Sequence, residues 1–344
     1  MTLPSALIGF GQIGQGYSTD VRMSQHFRYS THAQVLRAHP AFEWLAVVDI
    51  SADALKLAQS QWQIQHVASN AAELACRNDI EFAVLATPPH HRLAILESFP
   101  ALKAVLVEKP LGDTLEQCQE FLTACRQRNI LVQVNLLRRA DESMLRLANG
   151  ELLSLIGTPQ IASVVYGNGL LNNGTHMIDL IRMLLGEVDS VSAVPGGPDF
   201  EEGPLDGDRN FGVNLRLTGN VNCSFQPISF KHYRENFVDV WGTTGRLSIT
   251  QEGLVELVYE LADNRALENS NEIVSEAPIV RVSSLGDALY NMYNNVHEAL
   301  SVGAALLSPG ESALITSSVV QAAFESRKQR KSFDPRALLG ASRL

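Results

Sequence analysis

Uninterrupted runs of apolar residues alternate with amphipathic segments from the start of the chain to about residue 138. The apolar runs predict strands buried on both faces, as in a parallel sheet, and they cover residues 6–10, 44–49, 82–87, 104–108 and 130–135. The amphipathic segments predict helices over residues 51–61, 93–99 and 114–128. Strands that alternate with helices are typical of a doubly wound α/β fold, so we expect a Rossmann domain here.

The pattern changes after residue 138. It predicts a helix over residues 177–185 and then several strands, including 213–217, 221–225 and 237–241. Residues 196–209 are rich in Gly, Pro and Asp and predict a surface loop. Two further helices are predicted near the end, one of them starting at the capping sequence of residues 308–311. We expect a second, α+β domain, with domains at 1–138 and 139–344 and the C-terminal helices packing back toward the first domain.

Composition narrows the classes of partner. A chain of 344 residues is longer than one hydrophobic core usually serves, which also favours two domains. The formal net charge of −10 disfavours nucleic acid and anionic membrane surfaces as partners. The four cysteines have no metal-type spacing, and no His, Cys and carboxylate cluster predicts a metal. With no apolar stretch of spanning length and no room for a signal peptide before the first strand, we expect a cytoplasmic protein.

A glycine fingerprint, G-x-G-x-x-G over residues 9–14, directly follows the first predicted strand. Gly9 allows a tight turn, Gly11 lets the main chain approach a pyrophosphate, and Gly14 permits close packing of the next segment of the chain. Asp49 ends the second strand, where a carboxylate can accept both ribose hydroxyls and repel a 2′-phosphate, which favours NAD over NADP. Alternatively, Asp49 caps the helix that begins at Ser51.

About forty residues separate Gly9 from Asp49, where about twenty would be usual. An insertion therefore lies between them. A family resemblance, carried by motifs along the whole chain, implies that the insertion covers residues 17–31 and displaces the first helix to a start at His32 and Ala33. The insertion could cover a pyrophosphate or reach a charged substrate, or it could be a plain surface excursion.

Glu108-Lys109-Pro110 closes the fourth apolar run. A lysine at the carboxyl end of a buried strand faces the crevice where doubly wound sheets bind ligands, and its amine can exchange a proton with a substrate hydroxyl. The alternative is a lysine that extends to solvent. Arg138 and Arg139 end the next strand and could clamp an anion or form ion pairs at the domain hinge.

The order of these motifs, together with Ala86-Thr87-Pro88-Pro89 and Gly174-x-His176-x-x-Asp179, resembles the Gfo/Idh/MocA family, the glucose-fructose oxidoreductase and inositol dehydrogenase group. The resemblance implies an N-terminal NAD-binding Rossmann domain over 1–138. It also implies a C-terminal domain over 139–344 with a large open, mostly antiparallel sheet that serves substrate binding and assembly into homodimers or homotetramers. Residues 167–179 are most similar to the nucleotide-sugar and polysaccharide-pathway dehydrogenases.

The resemblance also implies roles for individual residues. Lys109 and His176 would be catalytic, Lys109 as the acid/base and His176 sharing or relaying the proton. Asn172 stands where inositol-dehydrogenase-like members carry an aspartate, and an amide cannot take a proton. The expected cofactor contacts are Gly9, Phe10, Gly11, Gln12, Ile13, Gly14, Asp49, Ile50, Thr87, Pro88, Pro89, His91, Glu108 and Lys109. The expected substrate contacts are Lys109, Arg138, Arg139, Asn172, Asn173, His176 and Asp179.

These observations predict an NAD-dependent oxidoreductase that transfers a hydride between the nicotinamide and a hydroxyl-bearing carbon of a sugar or nucleotide sugar, with NADP as the weaker cofactor. Alternatives of the same fold are an inositol- or dihydrodiol-type dehydrogenase and an enzyme that keeps its nucleotide bound. A non-catalytic NAD-dependent sensor and an interaction subunit are further alternatives. His176 could also be a histidine hydrogen-bonded at a domain interface, and Asp179 a capping or solvated carboxylate.

Overall fold

A computed structural model describes residues 2–274 and 276–340. Its strands are β1 (Leu3–Ile8), β2 (Phe42–Val48), β3 (His66–Ala68), β4 (Phe82–Leu85), β5 (Ala104–Val107), β6 (Leu131–Val134), β7 (Pro159–Tyr166), β8 (Val188–Ala193), β9 (Asp199–Glu201), β10 (Arg209–Phe211), β11 (Val213–Leu217), β12 (Asn222–Pro227), β13 (Phe237–Gly242), β14 (Gly245–Thr250), β15 (Val255–Asp263), β16 (Asn271–Ile273) and β17 (Ile279–Val282). Its α-helices are α1 (His32–Ala38), α2 (Ala52–Gln61), α3 (Arg92–Ser98), α4 (Leu115–Gln127), α5 (Glu142–Arg146), α6 (Leu152–Ile156), α7 (Thr175–Leu185), α8 (Ala288–Val302) and α9 (Gly310–Gln329).

The first structural unit runs to Ala140 and takes in Gly286–Leu314 from late in the chain. Its parallel sheet has the strand order β3-β2-β1-β4-β5-β6, which is that of a Rossmann fold. The strands form because their side chains are apolar and buried on both faces; every residue of β4 and β5 is buried. The order of the strands reverses between β1 and β4, and ligands bind at such a point in open α/β sheets.

Helix α8 completes the core of this first unit. Leu289, Tyr293 and Val296 are buried in the same apolar cluster as residues of β1, β2 and β4. The ring of Tyr293 lies 5.3 Å from that of Phe42 and 5.7 Å from that of Phe82. Aromatic pairs at this spacing add to the free energy gained by burial. Residues near 290 are therefore part of the first unit, although they follow most of the second unit in sequence.

The second unit consists of Asp141–Leu285 and the residues from Ile315 onward. In the part of the chain that the structure describes, its large sheet has nine strands in the order β16-β15-β14-β13-β7-β12-β11-β8, with β17 also paired to β15. Only β7 and β12 run parallel among these pairs, so the sheet is mixed and mostly antiparallel, as the sequence analysis expected. One face packs on the core that contains α7. Along β7, Ala162 and Val164 are buried on that face, whereas Ile161 is 49% exposed on the other.

Two parts of the sequence prediction were incomplete. Strand β3 was not predicted, because it has three residues and all are half-buried, which leaves no apolar run. The predicted loop over 196–209 contains β9, which pairs with β10. Arg209 joins this pair by ion pairs to Asp199 and Glu201, both at 2.6 Å, so charged residues rather than an apolar pattern hold it.

The helix displaced by the insertion begins where the sequence predicted. Thr31 caps α1 and forms a capping box with Gln34. The amide of His32 donates to the carbonyl of Ile13 at 3.1 Å, and that of Ala33 donates to the carbonyl of Gly14 at 2.9 Å. These hydrogen bonds attach the start of α1 directly to the fingerprint turn. The insertion over residues 17–31 therefore begins and ends beside that turn.

Candidate functional site

The carboxyl ends of the parallel strands meet at one edge of the sheet in the first unit. Ile8 pairs with Leu85, and Leu85 pairs with Val107. Because the strands are in this register, the fingerprint, the segment after β4 and the segment after β5 all begin at the same level. Main-chain hydrogen bonds across the ends, such as Glu108 N to Leu85 O at 3.0 Å, extend the pairing by one residue.

The fingerprint glycines are required by different contacts. Gly9 has a φ of +95°, and a Cβ on it would lie 2.6 Å from the carbonyl oxygen of Ala86. A Cβ on Gly14 would lie 2.6 Å from the carbonyl oxygen of Gly9. A Cβ on Gly11 would meet no atom within 4 Å, and Gly11 lines a cavity. Gly9 and Gly14 therefore fold the turn, and Gly11 leaves room for a ligand beside the main chain.

That cavity has a volume of about 910 Å³ and belongs wholly to the first unit. This is in the upper part of the range of small-molecule and cofactor sites. Seven predicted cofactor residues line it: Gly9, Gly11, Asp49, Ile50, Thr87, Pro88 and His91. Phe10, Gln12, Ile13, Gly14, Pro89, Glu108 and Lys109 are not among its lining residues. The sequence analysis missed the contribution of the loop after β3, from Ser69 to Ala72, and of Arg77.

Asp49 is fixed by main-chain donors. Its Oδ2 accepts from the amide of Phe10 at 2.6 Å, and its Oδ1 accepts from the amide of Ser51 at 2.8 Å. Ser51 itself caps α2, since its hydroxyl accepts from the amide of Ala54 at 3.3 Å. The carboxylate of Asp49 thus links the fingerprint turn to the start of α2 while it lines the cavity.

The side chain of Glu108 belongs to a buried polar network. Its Oε1 accepts from Asn135 Nδ2 at 2.6 Å and from His32 Nε2 at 2.9 Å. The other ring nitrogen of His32 lies 2.8 Å from the hydroxyl of Tyr293 on α8. Burial raises the pKa of Glu108, but the hydrogen bonds from His32 and Asn135 and the positive charge of Lys109 outweigh it, so the pKa lies below its usual value. Glu108 is therefore a carboxylate that faces His32.

Lys109 follows directly and is half-buried. Arg138 and Arg139 lie in a turn over Leu137–Ala140, after β6, which is the neighbour of β5 in the sheet. Arg138 is buried and Arg139 is half-buried. The sheet thus brings these three cations to its carboxyl edge from adjacent strands.

The remaining predicted residues lie in the second unit, at the start of α7. A turn over Leu170–Gly174 precedes the helix, with Asn172 within it and His176 in the first turn of α7, both half-buried. The carboxylate of Asp208 holds this turn by accepting from the amides of Leu171 and Asn172, each at 2.9 Å. Burial raises the pKa of Asp208, and these amides oppose the rise. No sequence pattern pointed to Asp208, which is 1% exposed although it lies in the predicted surface loop.

Asn173 and Asp179 are buried and engaged within the second unit. Asn173 Nδ2 donates to Gly167 O at 2.9 Å and to Asn236 Oδ1 at 2.8 Å. Asp179 Oδ1 accepts from the hydroxyl of Thr316 at 2.8 Å. These contacts give both side chains a role in holding α7 and the turn before it.

Among the described residues, no three or more His, Cys, Asp or Glu side chains are placed to hold a metal ion. Within the same residues, no helix is both long and apolar enough to cross a bilayer.

Comparison with known families finds a match over most of the chain. Residues 4–136 match the model of an oxidoreductase family with an NAD-binding Rossmann fold. Residues 166–334 match the model of the C-terminal alpha/beta domain of the same oxidoreductase family. The cavity beside Gly11 thus lies in the part of the chain that matches an NAD-binding fold.

Three individual proteins that the chain resembles share less than 30% of its residues over the matched segments. The chain is 24% identical over 293 residues to levoglucosan dehydrogenase of Pseudarthrobacter phenanthrenivorans, covering 70% of this chain and 75% of that protein. It is 27% identical over 201 residues to an inositol 2-dehydrogenase/D-chiro-inositol 3-dehydrogenase of Shouchella clausii, covering 54% of each chain. Its fold resembles a super-repressor mutant of Gal80p from Saccharomyces cerevisiae, with a TM-score of 0.74, 14% identity and coverage of 97% and 98%. The match to the inositol enzyme spans about half the length of that relative.

Proposed function

Because the chain belongs to the Gfo/Idh/MocA family of oxidoreductases, we propose that it is an NAD-dependent dehydrogenase that oxidises a hydroxyl-bearing carbon of a sugar or nucleotide sugar. The observation that carries this proposal is the position of Lys109. Lys109 lies just beyond the carboxyl end of β5. The neighbouring strand is β4, and the segment that follows β4 lines the cavity. Relatives named for levoglucosan and inositol oxidation favour a polyol as the substrate.

The first unit fits NAD on the geometry of its own residues. The open space beside Gly11 would be filled by any side chain, and it admits a pyrophosphate against the main chain. The carboxylate of Asp49 is turned to the cavity edge, where it can accept the ribose hydroxyls. When NAD⁺ is bound there, its nicotinamide ring would supply the hydride-accepting chemistry of the reaction.

Lys109 would carry the proton in this reaction. The neutral amine accepts the proton of the substrate hydroxyl at Nζ while the C–H bond breaks and a carbonyl forms. In the reverse direction, the ammonium group returns that proton to the carbonyl oxygen. The backbone on either side of Lys109 is held within the first unit, which favours a defined position for the amine.

The second unit would supply the groups that bind the sugar. Asn172 and His176 are half-buried at the start of α7, and Asp208 fixes the turn that carries Asn172. We propose that Asn172 binds a substrate hydroxyl and that His176 shares or relays the proton. Asn173 and Asp179 would act by holding these two residues in place, because their own side chains are engaged within the unit. Arg138 and Arg139 remain candidates for an anionic part of the substrate, such as a nucleotide diphosphate.

We further propose that the chain forms a homodimer or homotetramer through the uncovered face of its large sheet. Ile161 is 49% exposed on that face. Arg246, on the neighbouring part of the sheet, stacks on the rings of Trp241 and Tyr259. A sheet face with exposed apolar and stacked aromatic groups is typical of an interface.

Replacing Lys109 by alanine tests the acid/base role. We expect Lys109→Ala to lower kcat by ~10²–10⁴, which is the usual contribution of a positioned acid/base. NAD⁺ binding should stay within a few-fold, because the glycine turn and Asp49 hold the nucleotide. The measurement is NADH production from levoglucosan, myo-inositol or UDP-glucose, with NAD⁺ affinity from calorimetry.

Lys103→Ala is the matched control, since Lys103 lies before the other end of β5 and pairs with Glu81 at 2.7 Å. That variant should retain the kcat of the unchanged protein. Normal turnover by Lys109→Ala, with NAD⁺ binding intact, would refute the proton-transfer role. A wild-type protein that binds NAD⁺ but turns over none of these polyols would instead favour the sensor alternative.

A further inference from the structure

Arg92, the first residue of α3, is one of the largest buried side chains of the chain at 2% exposure. Its guanidinium donates four hydrogen bonds to main-chain carbonyls. Nη1 donates to Pro110 O at 2.6 Å and to Leu111 O at 2.9 Å. Nη2 donates to Thr87 O at 2.9 Å and to Glu108 O at 2.8 Å.

These four carbonyls belong to the two segments that form the site. Thr87 is in the segment after β4 that lines the cavity. The other three carbonyls belong to the segment after β5, and they flank Lys109 on both sides. A single planar group therefore sets the separation of the two segments and the path of the main chain through Lys109.

Burying a guanidinium costs more free energy than burying an apolar side chain of similar size. Moving a charged group out of water costs several kcal/mol unless hydrogen bonds and opposite charges compensate. Burial lowers the pKa of Arg92 to about 10, although the charges of Glu108, Cys118 and Asp113 raise it, so the group stays protonated at neutral pH. A guanidinium offers donors at fixed angles, which an ammonium cannot reproduce. Four charge-assisted bonds to carbonyls at four positions use that geometry.

We propose that Arg92 is a positioning residue for Lys109. It acts on the reaction through the main chain of the segment that carries Lys109, and its effect on turnover rests on the acid/base role proposed above. A displacement of about 1 Å in a reacting group can cost ~10²-fold in rate. Loss of the four-carbonyl contact should therefore lower kcat well beyond any change in NAD⁺ binding.

Chemical labelling tests the positioning without a substrate. In the presence of NAD⁺, the initial rate of acetylation of Lys109 by acetic anhydride is measured by mass spectrometry relative to that of Lys103. We expect this ratio to change by at least about threefold in Arg92→Lys and Arg92→Gln, because the amine takes a new position. Arg128→Lys is the matched control, since Arg128 also donates to two main-chain carbonyls, those of Leu96 and Phe99, and neither lies in the segment that carries Lys109.

Turnover gives the second measurement. With the polyol that the wild-type protein oxidises, Arg92→Lys should lower kcat by ~10-fold or more. It should have no further effect in a Lys109→Ala background, because it acts through Lys109. A merely structural residue would lower kcat in both backgrounds.

The outcomes separate the two proposals. An unchanged labelling ratio in both Arg92 variants overturns the positioning role, as does an equal change in Arg128→Lys. If circular dichroism shows both Arg92 variants to be unfolded, Arg92 is a folding residue and the inference is likewise overturned. Normal turnover by Lys109→Ala would refute the proposed function alone, while a changed labelling ratio would still support the positioning of Lys109 by Arg92.

Discussion

At the scale of single residues, Asp49 both joins two main-chain segments and lines the cavity. Each of its two carboxylate oxygens accepts a main-chain amide, one from the fingerprint turn and one from the start of α2. The N-cap of α2 is Ser51 and not Asp49, but Asp49 braces the start of that helix by accepting the amide of Ser51 while it lines the cavity. A substitution here should alter the turn as well as the ribose contact.

We expect Asp49→Asn to weaken NAD⁺ binding by ~10-fold and to reduce discrimination against NADP⁺. An amide has one acceptor oxygen, so one of the two main-chain bonds is lost, and no negative charge remains to repel a 2′-phosphate. Calorimetry with both nucleotides measures the change. Asp53→Asn is the control, because Asp53 is 95% exposed on α2. Tighter binding of NADPH than NADH by the wild-type protein would contradict this account of Asp49.

Residues whose role depends on a local motif were predictable, and those whose role depends on distant chain segments were not. The sequence predicted that Gly9, Gly11 and Asp49 lie at a ligand site, and all three line the cavity. The prediction was possible because these residues occur at a glycine turn after one strand and at the end of the next. Arg92 gave no signal, since its four acceptors come from residues 87 to 111 and meet only in the folded sheet. Asp208 gave none either, because a charged residue in a Gly- and Pro-rich segment is ordinarily exposed.

At the scale of elements, the connection between α1 and β2 packs against α8 through aromatic rings. His39 follows the end of α1, and its ring lies 4.6 Å from that of Tyr290 in a stacked arrangement and 5.0 Å from that of Phe42. His39 is 5% exposed. Burial and, to a smaller extent, the charge of His297 lower its pKa from 6.5 to about 4. Three elements thus enclose a histidine that is neutral in the folded chain at neutral pH.

This histidine should make the first unit less stable in mild acid. The unfolded chain takes up a proton on His39 near pH 6.5, and the folded chain does so only near pH 4, so stability is full above pH 6.5 and falls as the pH drops toward 4. The loss is on the order of 3 kcal/mol at most. Urea unfolding followed from pH 7 to pH 4 should show a steeper decline for the wild-type protein than for His39→Phe. Equal slopes in the two proteins would contradict the assignment.

Element prediction succeeded where burial is complete and failed where it is partial. The runs at β4 and β5 are buried on both faces, so composition alone identifies them. Helix α4 was predicted with its cap, and Thr114 accepts the amide of Gln117 as the capping-box spacing implied. Strands β3 and β9 were not predicted, because each has only three residues and no apolar pattern of its own. Each is a strand because it pairs with a neighbouring strand.

At the scale of the whole molecule, the family predicted from the motif order is confirmed by matches over residues 4–136 and 166–334. The Rossmann fold of the first unit and the mixed, mostly antiparallel sheet of the second are confirmed as well. The chain is 24% identical to the levoglucosan dehydrogenase and 27% identical to the inositol dehydrogenase over the matched residues, so these matches identify the family and leave the substrate to the proposal above.

The proposed assembly gives a prediction at this scale. A wild-type chain of 37.6 kDa should sediment with the mass of two or four copies. Ile161→Glu places a charge on the uncovered face of the large sheet, and burying that charge in an interface is unfavourable, so this variant should be monomeric. Val302→Glu is the control, because Val302 is 80% exposed at the end of α8 in the first unit. A monomeric wild-type protein would contradict the proposal.

The late position of α8 in the chain has a consequence for synthesis on the ribosome. All six strands of the first sheet have been made once residue 134 is added, but the ring of Tyr293 that packs on Phe42 and Phe82 comes more than a hundred residues later. Until then, an aromatic surface of the nascent sheet lacks its cover, while the 145 residues from Asp141 to Leu285 are still being translated. Domains of a growing chain generally fold from the N-terminus onward. Here the domain that starts first can be completed only after most of the second has emerged, so the interval between them is when this chain is most exposed to chaperones and to aggregation.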